Sequence, residues 1–341
     1  MRFGSAVAWS AAGADAGSFA NPSYAALLEL DCNVIVPENE LKWEAIRPSA
    51  TSFDFSRADA MLAYADSKRI AMRAHTLLWY VQERFPAWLR NHAFGSNPRA
   101  SAEALVIDHV RTVTRRYSGR IASWDVINEA VNNNSGQLRR NALSDAVGND
   151  TSLLDLAFRT ARAELPTAEL VYNDFMDWGG GSAHREGVLN LLRGFRDRNV
   201  PVDTLGIQSH LGFHSSAPAA EIVAARTPVM RAFLDQVVGL GYKFSITELD
   251  VSDRDRIGSI AQRDADVATL TRGWLDLLLS YPQIRDVLVW GMSDRYSWLQ
   301  GFAPRADGSP VRPLPYDRDF LPKPMRQVII DSFTTTAARP A

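Results

Sequence analysis

Short apolar runs alternate along the chain with longer stretches whose apolar residues recur every three to four positions, and the alternation repeats to the end. The runs predict strands at Phe3–Val7, Asn33–Val36, Ile70–Ala74, Ser123–Ile127, Glu169–Tyr172, Leu205–Ile207, Phe244–Thr247 and Val287–Trp290. The stretches between them predict helices. Asn21 and Pro22 supply an N-cap and a first-turn proline for a helix to about Leu30. Ser56 is the expected cap of the next, whose Ala58, Met61, Leu62 and Ala65 make one buried face. Ser101 starts a third, with Val106, Val110 and Val113 on one side. Leu153–Leu165, Arg185–Arg196, Pro228–Val238 and Asp264–Leu279 follow, and Met325–Ile330 closes the chain before a frayed tail, Thr334–Ala341. Strands alternating with helices argue a parallel sheet. Eight such units with no linker and no break in composition argue one closed (β/α)8 TIM barrel, a single domain over residues 1–341.

In that fold the active site lies at the carboxyl ends of the strands. Those ends carry Glu38, His75, Asn128, Glu129, Asn173, Gln208, His210, Glu248 and Trp290. Two segments stand out. Ser123–Ala130, SWDVINEA, is a strand that delivers Asn128 and Glu129, and Lys243–Val251, KFSITELDV, delivers Glu248 and then Asp250. Carboxylates are seldom buried without a partner, so a strand-terminal Glu is either a solvated or ion-paired acid or a working one. A pair of them is the minimum equipment for glycoside hydrolysis, in which one acid protonates the leaving oxygen while the other attacks carbon or activates water. His210 and Asp250 are suited to orient Glu248 and keep it ionised. Asn128 offers an amide to a sugar hydroxyl, and Trp79, Trp290 and Trp298 offer flat walls. Singly, His75 and His210 also read as core histidines, Trp290 as core, and Asn39 with Lys42 as a turn with a solvated charge. Those plainer readings would all have to hold at once, at the ends of six or more strands.

Composition narrows the alternatives. A net charge of −2 gives no electrostatic case for nucleic acid or an anionic membrane, and no run approaches the roughly 18 apolar residues of a membrane span. Cys32 is the only cysteine, which excludes internal disulfides and Cys-based zinc clusters. There is no HExxH. Gly179–Gly181 precedes Ser182 but lacks the P-loop lysine, so a flexible loop is expected there. The Asn, Gln and Trp around the carboxylates suit sugar hydroxyls and rings better than a metal ion. No metal and no cofactor are expected. MRFGSAVAWSAAG does not read as a signal peptide.

PENELKW, RAHTLLW, WDVINEA, GIQSHL, ITELDV, WGMSDRYSW and the closing PLPYDRDFLPKP stand in the order and spacing of the family 10 glycoside hydrolases, mostly endo-β-1,4-xylanases. The chain resembles that family from Phe3 to about Phe333. The resemblance implies a (β/α)8 barrel that hydrolyses xylan and xylo-oligosaccharides with retention of anomeric configuration. It implies that Glu129 is the acid/base and Glu248 the nucleophile. Glu38, Asn39 and Lys42 then contact the sugar one step further to the non-reducing side. His75, Trp79, Gln82, Asn128, Gln208, His210 and Trp290 contact sugars near the cleavage point, Trp298 is a lid over them, and Asn173 supports the acid/base. Three positions depart from the family pattern: Tyr80 stands where His is usual, Phe175 where Tyr is usual, and Leu299 where Arg is usual. They bear on the leaving-group side, and Tyr80 is expected to alter the surroundings of Glu129. A monomer without an attached carbohydrate-binding module is expected. The expected location is outside the cell, with the leader absent from this sequence; the alternative is the cytoplasm, acting on imported xylo-oligosaccharides. Two rival functions are a hydrolase for another β-linked glycoside and a sugar-binding barrel without turnover.

Overall fold

The computed structural model describes residues 1–176, 178 and 181–336. Eight parallel strands close on themselves: β1 (Arg2–Val7), β2 (Val34–Pro37), β3 (Ala71–Ala74), β4 (Ser123–Asn128), β5 (Glu169–Asp174), β6 (Thr204–Ile207), β7 (Lys243–Ser252) and β8 (Ile284–Val289). Each pairs with its sequence neighbours, and β8 closes the ring by pairing with both β7 and β1. A bidentate Arg2–Asp286 pair, at 3.0 and 2.6 Å, ties the amino ends of β1 and β8. Two short strands prolong the barrel upward: Leu78–Trp79 runs beside β4, and His210–Gly212 runs beside β7. Each of the eight strands is followed by a principal helix: α1 (Pro22–Asp31), α2 (Ser56–Lys68), α3 (Pro98–Tyr117), α4 (Ser152–Glu164), α5 (Ser182–Asp197), α6 (Ala219–Gly239), α7 (Ile260–Leu279) and α8 (Pro324–Thr335). This is the expected (β/α)8 architecture.

Local chemistry moves several boundaries. Asn21 caps α1 as expected, its side chain accepting from the amides of Ser23 and Tyr24. Ser56 is not a cap but the first residue of α2, and its amide is held by Asp54 Oδ1 at 2.9 Å. α3 begins at Pro98 rather than Ser101, because Asn97 accepts from the Ala100 amide and Pro98 suits the first turn. α6 begins at Ala219, so Pro228 lies inside a helix instead of opening one. The buried face of Ile222, Met230, Phe233, Leu234 and Val237 runs through the proline and outweighs its missing N–H. α8 runs to Thr335, so the first two residues of the expected tail are helical. Residues 337–341, and the first two glycines of the loop expected at Gly179–Gly181, lie outside the described residues.

The main apolar core fills the layer between strands and helices, where Leu62, Val110, Phe158, Leu192, Phe233 and Trp274 pack together. A smaller group inside the barrel joins Ala6, Val34, Val36, Leu288 and Trp290. Elsewhere the barrel interior is polar. Asp125 on β4 is wholly buried and takes both terminal nitrogens of Arg73 and Nδ1 of His75. Removing one partner of such a buried pair typically costs about 3–5 kcal/mol, because the other charge is left uncompensated. This cross-link fixes β3 to β4 near the carboxyl ends of the strands.

Candidate active site

The carboxyl ends of the strands surround an open cleft of about 510 Å³. It is lined by Glu38, Asn39, Lys42, His75, Trp79, Asn128, Glu129, Gln208, His210, Glu248, Trp290 and Trp298, all expected from the sequence, together with Glu44, Arg84, Phe175 and Phe302. β4 ends on Asn128, and Glu129 turns out of the strand in the left-handed region, φ +56°. Its amide donates to the Asn173 carbonyl at 2.9 Å, so the turn is anchored on β5. Glu248 lies within the longer β7, with Asp250 two residues on. Both side chains therefore face the barrel axis.

A run of amides joins the two acids. Gln208 Nε2 donates to Glu129 Oε1 at 2.9 Å and to Asn128 Oδ1 at 3.1 Å. Asn173 Nδ2 donates to the same Asn128 oxygen at 3.0 Å and to Glu248 Oε1 at 2.8 Å. Thr247 Oγ1 donates to Asn173 Oδ1 at 2.7 Å, which fixes the amide's orientation. The side chain of Asn173 thus serves Glu248, and only its carbonyl supports Glu129. The position is open because residue 206 is glycine: a Cβ there would lie 2.3 Å from Asn173 Oδ1. Gly206→Ala is expected to push Asn173 off Glu248 and lower kcat about 10–100-fold with the circular dichroism spectrum unchanged, a cost comparable to losing one charge-assisted hydrogen bond. Steady-state kinetics beside a spectrum of the same sample checks it.

The second oxygen of Glu248 meets His210 Nε2 at 3.2 Å, and His210 Nδ1 meets Asp250 Oδ2 at 3.0 Å. Trp298 Nε1 donates to that same Asp250 oxygen at 2.8 Å. His210 thus bridges the carboxylates of Glu248 and Asp250, and Trp298 is bonded to the second of them. The electrostatics of the two glutamates diverge. Burial raises the Glu129 carboxyl above its ordinary value; the Gln208 hydrogen bond opposes this, and the charge of Asp174 adds to it. Burial also disfavours the charged form of Glu248, but the His210 hydrogen bond, the neighbouring His75 and the Asn173 amide outweigh it and hold that carboxyl well below the usual range. His210 moves the other way. Burial would discharge it, yet the carboxylates of Asp250 and Glu248 on either side raise it well above an ordinary imidazole.

At one side of the cleft the β2 loop presents Glu38, Asn39 and Lys42. Glu40, buried beneath, accepts from the amides of Asn39 and Trp9 and shapes this loop. Lys42 Nζ donates to Asn39 Oδ1 at 3.0 Å and lies 4.6 Å from the Trp79 ring centre; Arg84 approaches the same ring at 4.7 Å. Among the described residues no group of three or more His, Cys, Asp or Glu side chains is set to hold a metal ion.

One expectation is corrected here, and one residue is placed. Gln82 does not line the cleft: its Oε1 accepts from the Ala142 amide at 2.8 Å and pins the turn that carries Arg84. Tyr80 does not border the cleft either. Its ring is wholly buried in the main core, while its amide and carbonyl serve Asn128 and Asn141. Of the other departures, Phe175 does line the cleft, and Leu299 is buried with Ala303 and Val311 beneath the loop that follows β8. Sequence reasoning missed Arg73 and Asp125, which orient His75. Their signal was a charge inside each of two apolar strands, where an unpaired ion is not tolerated.

The model of glycosyl hydrolase family 10 matches residues 2–332. The chain belongs to glycosyl hydrolase family 10. It is therefore a glycoside hydrolase. Among curated family members, it is 32% identical to endo-1,4-beta-xylanase A of Fusarium oxysporum over 85% of this chain and 84% of that one. It is 31% identical to an endo-1,4-beta-xylanase of Agaricus bisporus, over 89% and 84% of the two chains. Among solved family structures, xylanase 10B of Thermotoga petrophila in complex with xylobiose superimposes with a TM-score of 0.84 at 26% identity, covering 98% of this chain and 94% of that one.

Proposed function

We propose that this family 10 hydrolase is a retaining endo-β-1,4-xylanase, a single catalytic barrel that cuts internal bonds of xylan by double displacement. Glu129 is the acid/base and Glu248 the nucleophile. The observation that carries the reading is the opposite electrostatic state of two glutamates in one cleft: Glu129 is raised by burial, Glu248 is held down chiefly by His210. An acid that must deliver a proton needs the first state, and a nucleophile needs the second.

In the first step Glu129 gives its proton to the glycosidic oxygen as Glu248 attacks the anomeric carbon from the opposite face. The carbon–oxygen bond breaks and a glycosyl ester forms on Glu248. In the second step Glu129, now ionised, takes a proton from water, which displaces Glu248. Gln208 and Asn128 steady Glu129 through both steps; Asn173, His210 and Asp250 hold Glu248. His75, Trp79 and Trp290 surround the sugar being cleaved, Trp298 covers it, and Glu38, Asn39 and Lys42 bind the next sugar to the non-reducing side. The relatives named as xylanases support xylan as substrate.

Digestion of xylan followed by proton NMR tests both parts. Short xylo-oligosaccharides are expected, with the β-anomer at each new reducing end appearing first, because two successive displacements at the anomeric carbon restore its configuration. Early α-anomer would remove Glu248 as nucleophile. Turnover of aryl cellobioside well above aryl xylobioside would replace xylan as substrate.

A further inference from the structure

Among the described residues every Phe, Tyr and Trp ring is buried or half-buried except one. Phe302 is 70% exposed, and it lies in the wall of the cleft. Its ring centre is 4.6 Å from that of Trp298, with the planes tilted by 32°. The two rings form one apolar strip leading away from the acids. Exposing a Phe side chain is unfavourable, and an apolar surface held open beside a binding cleft is better explained by a ligand that covers it.

The strip is braced, not loose. It sits on the short helix Leu299–Phe302, which Trp298 precedes. The Phe302 amide donates to the Trp298 carbonyl at 3.1 Å. Leu299, Ala303 and Val311 pack beneath. Gln300 Nε2 donates to the carbonyls of Asp294 and Val311 at 2.7 and 2.9 Å, and Lys323 holds Asp294 at 3.0 Å. Leu299, one of the departures from the family pattern, is thus part of the footing under Phe302.

The barrel order says which end of the cleft this is. Glu129 follows β4 and Glu248 lies on β7. Phe302 follows β8, which pairs with β1, and β1 pairs with β2, the strand before Glu38, Asn39 and Lys42. Phe175 follows β5, on the other side of the two acids. We propose that Phe302 is the platform of an additional sugar site on the non-reducing side, beyond the sugar held by Glu38, Asn39 and Lys42, and takes the apolar face of a third xylose ring. This rests on the xylanase reading above and adds a specificity residue to it.

Aryl β-glycosides of xylobiose, xylotriose and xylotetraose test it. All release the same phenol, so each added sugar extends the substrate only toward the non-reducing end. In the wild type kcat/KM for phenol release should rise along the series. In Phe302→Ala the gain from the longer glycosides should fall about tenfold, the scale of burying roughly half a Phe side chain. The xylobioside should lose much less, and Phe302→Trp should restore the gain. An equal loss on all three substrates would overturn the proposal, because Phe302 would then act only through Trp298. No loss on any would also overturn it. A wild type inert on the whole series is a separate result, which removes the xylanase reading itself.

Discussion

Glu129→Ala, given an aryl xylobioside with an acidic phenol, is expected to release a burst of phenol and then stall. Such a phenol departs without a proton, so the first step survives the loss of the acid. Attack by water does not survive the loss of the base, and should slow by about 10²–10⁴-fold, the usual contribution of a positioned base. The glycosyl ester should therefore accumulate on Glu248, where mass spectrometry of a protease digest locates it. Azide needs no deprotonation and should speed turnover, yielding the β-xylobiosyl azide. Glu248→Ala is the control: no burst, and any azide product is α. An α-azide from Glu129→Ala would mean that the two roles are exchanged.

Removing His210 should move the acidic limb of the kcat/KM profile upward. In the proposed mechanism Glu248 must be ionised in the free enzyme to attack, so that limb would report its titration. Burial alone would raise its carboxyl, and the His210 hydrogen bond is the largest influence that lowers it. His210→Asn removes the imidazole's hydrogen bond and its charge, and leaves Asp250 as an uncompensated anion close by. Both changes favour the protonated form of Glu248, so activity should fail at a higher pH than in the wild type. At neutral pH kcat/KM should drop about 10²-fold or more, since the amide can neither bridge the two carboxylates nor carry the charge. Full pH profiles of both proteins decide it. A limb that stays in place while kcat falls would show that His210 only orients Glu248.

Each strand was legible because a strand covered on both faces must be an apolar run, and each helix because burial on one face imposes a 3.6-residue period. Ends were less legible. Ser101 and Ser56 looked like caps, yet the side-chain Oδ1 of Asn97 and the carboxylate of Asp54 won, since capping depends on which side chain folds back onto the free amides. Pro228 looked like a helix start, and only packing on both sides of it shows that α6 continues. Gln82 and Tyr80 follow Trp79 directly in the sequence, but one is spent on a turn and the other on the core.

The sequence by itself determined the fold class, the family, the two glutamates and nearly every wall of the cleft. These depend on residue type and strand position, and type and position can be read along one dimension. Only the tertiary structure decided how the walls are wired. Asn173 serves Glu248 because Gly206 leaves space beside it, and Trp298 bonds to Asp250 across 48 positions of chain. Arg73 and His75 share one buried carboxylate, and Phe302 stays bare beside Trp298 because its helix is footed on Leu299. Apart from the Trp298–Phe302 strip, each of these is a distance between groups on different strands or loops. Hydrogen bonds and desolvation act over a few ångströms, so the chain had to close into a barrel before they existed.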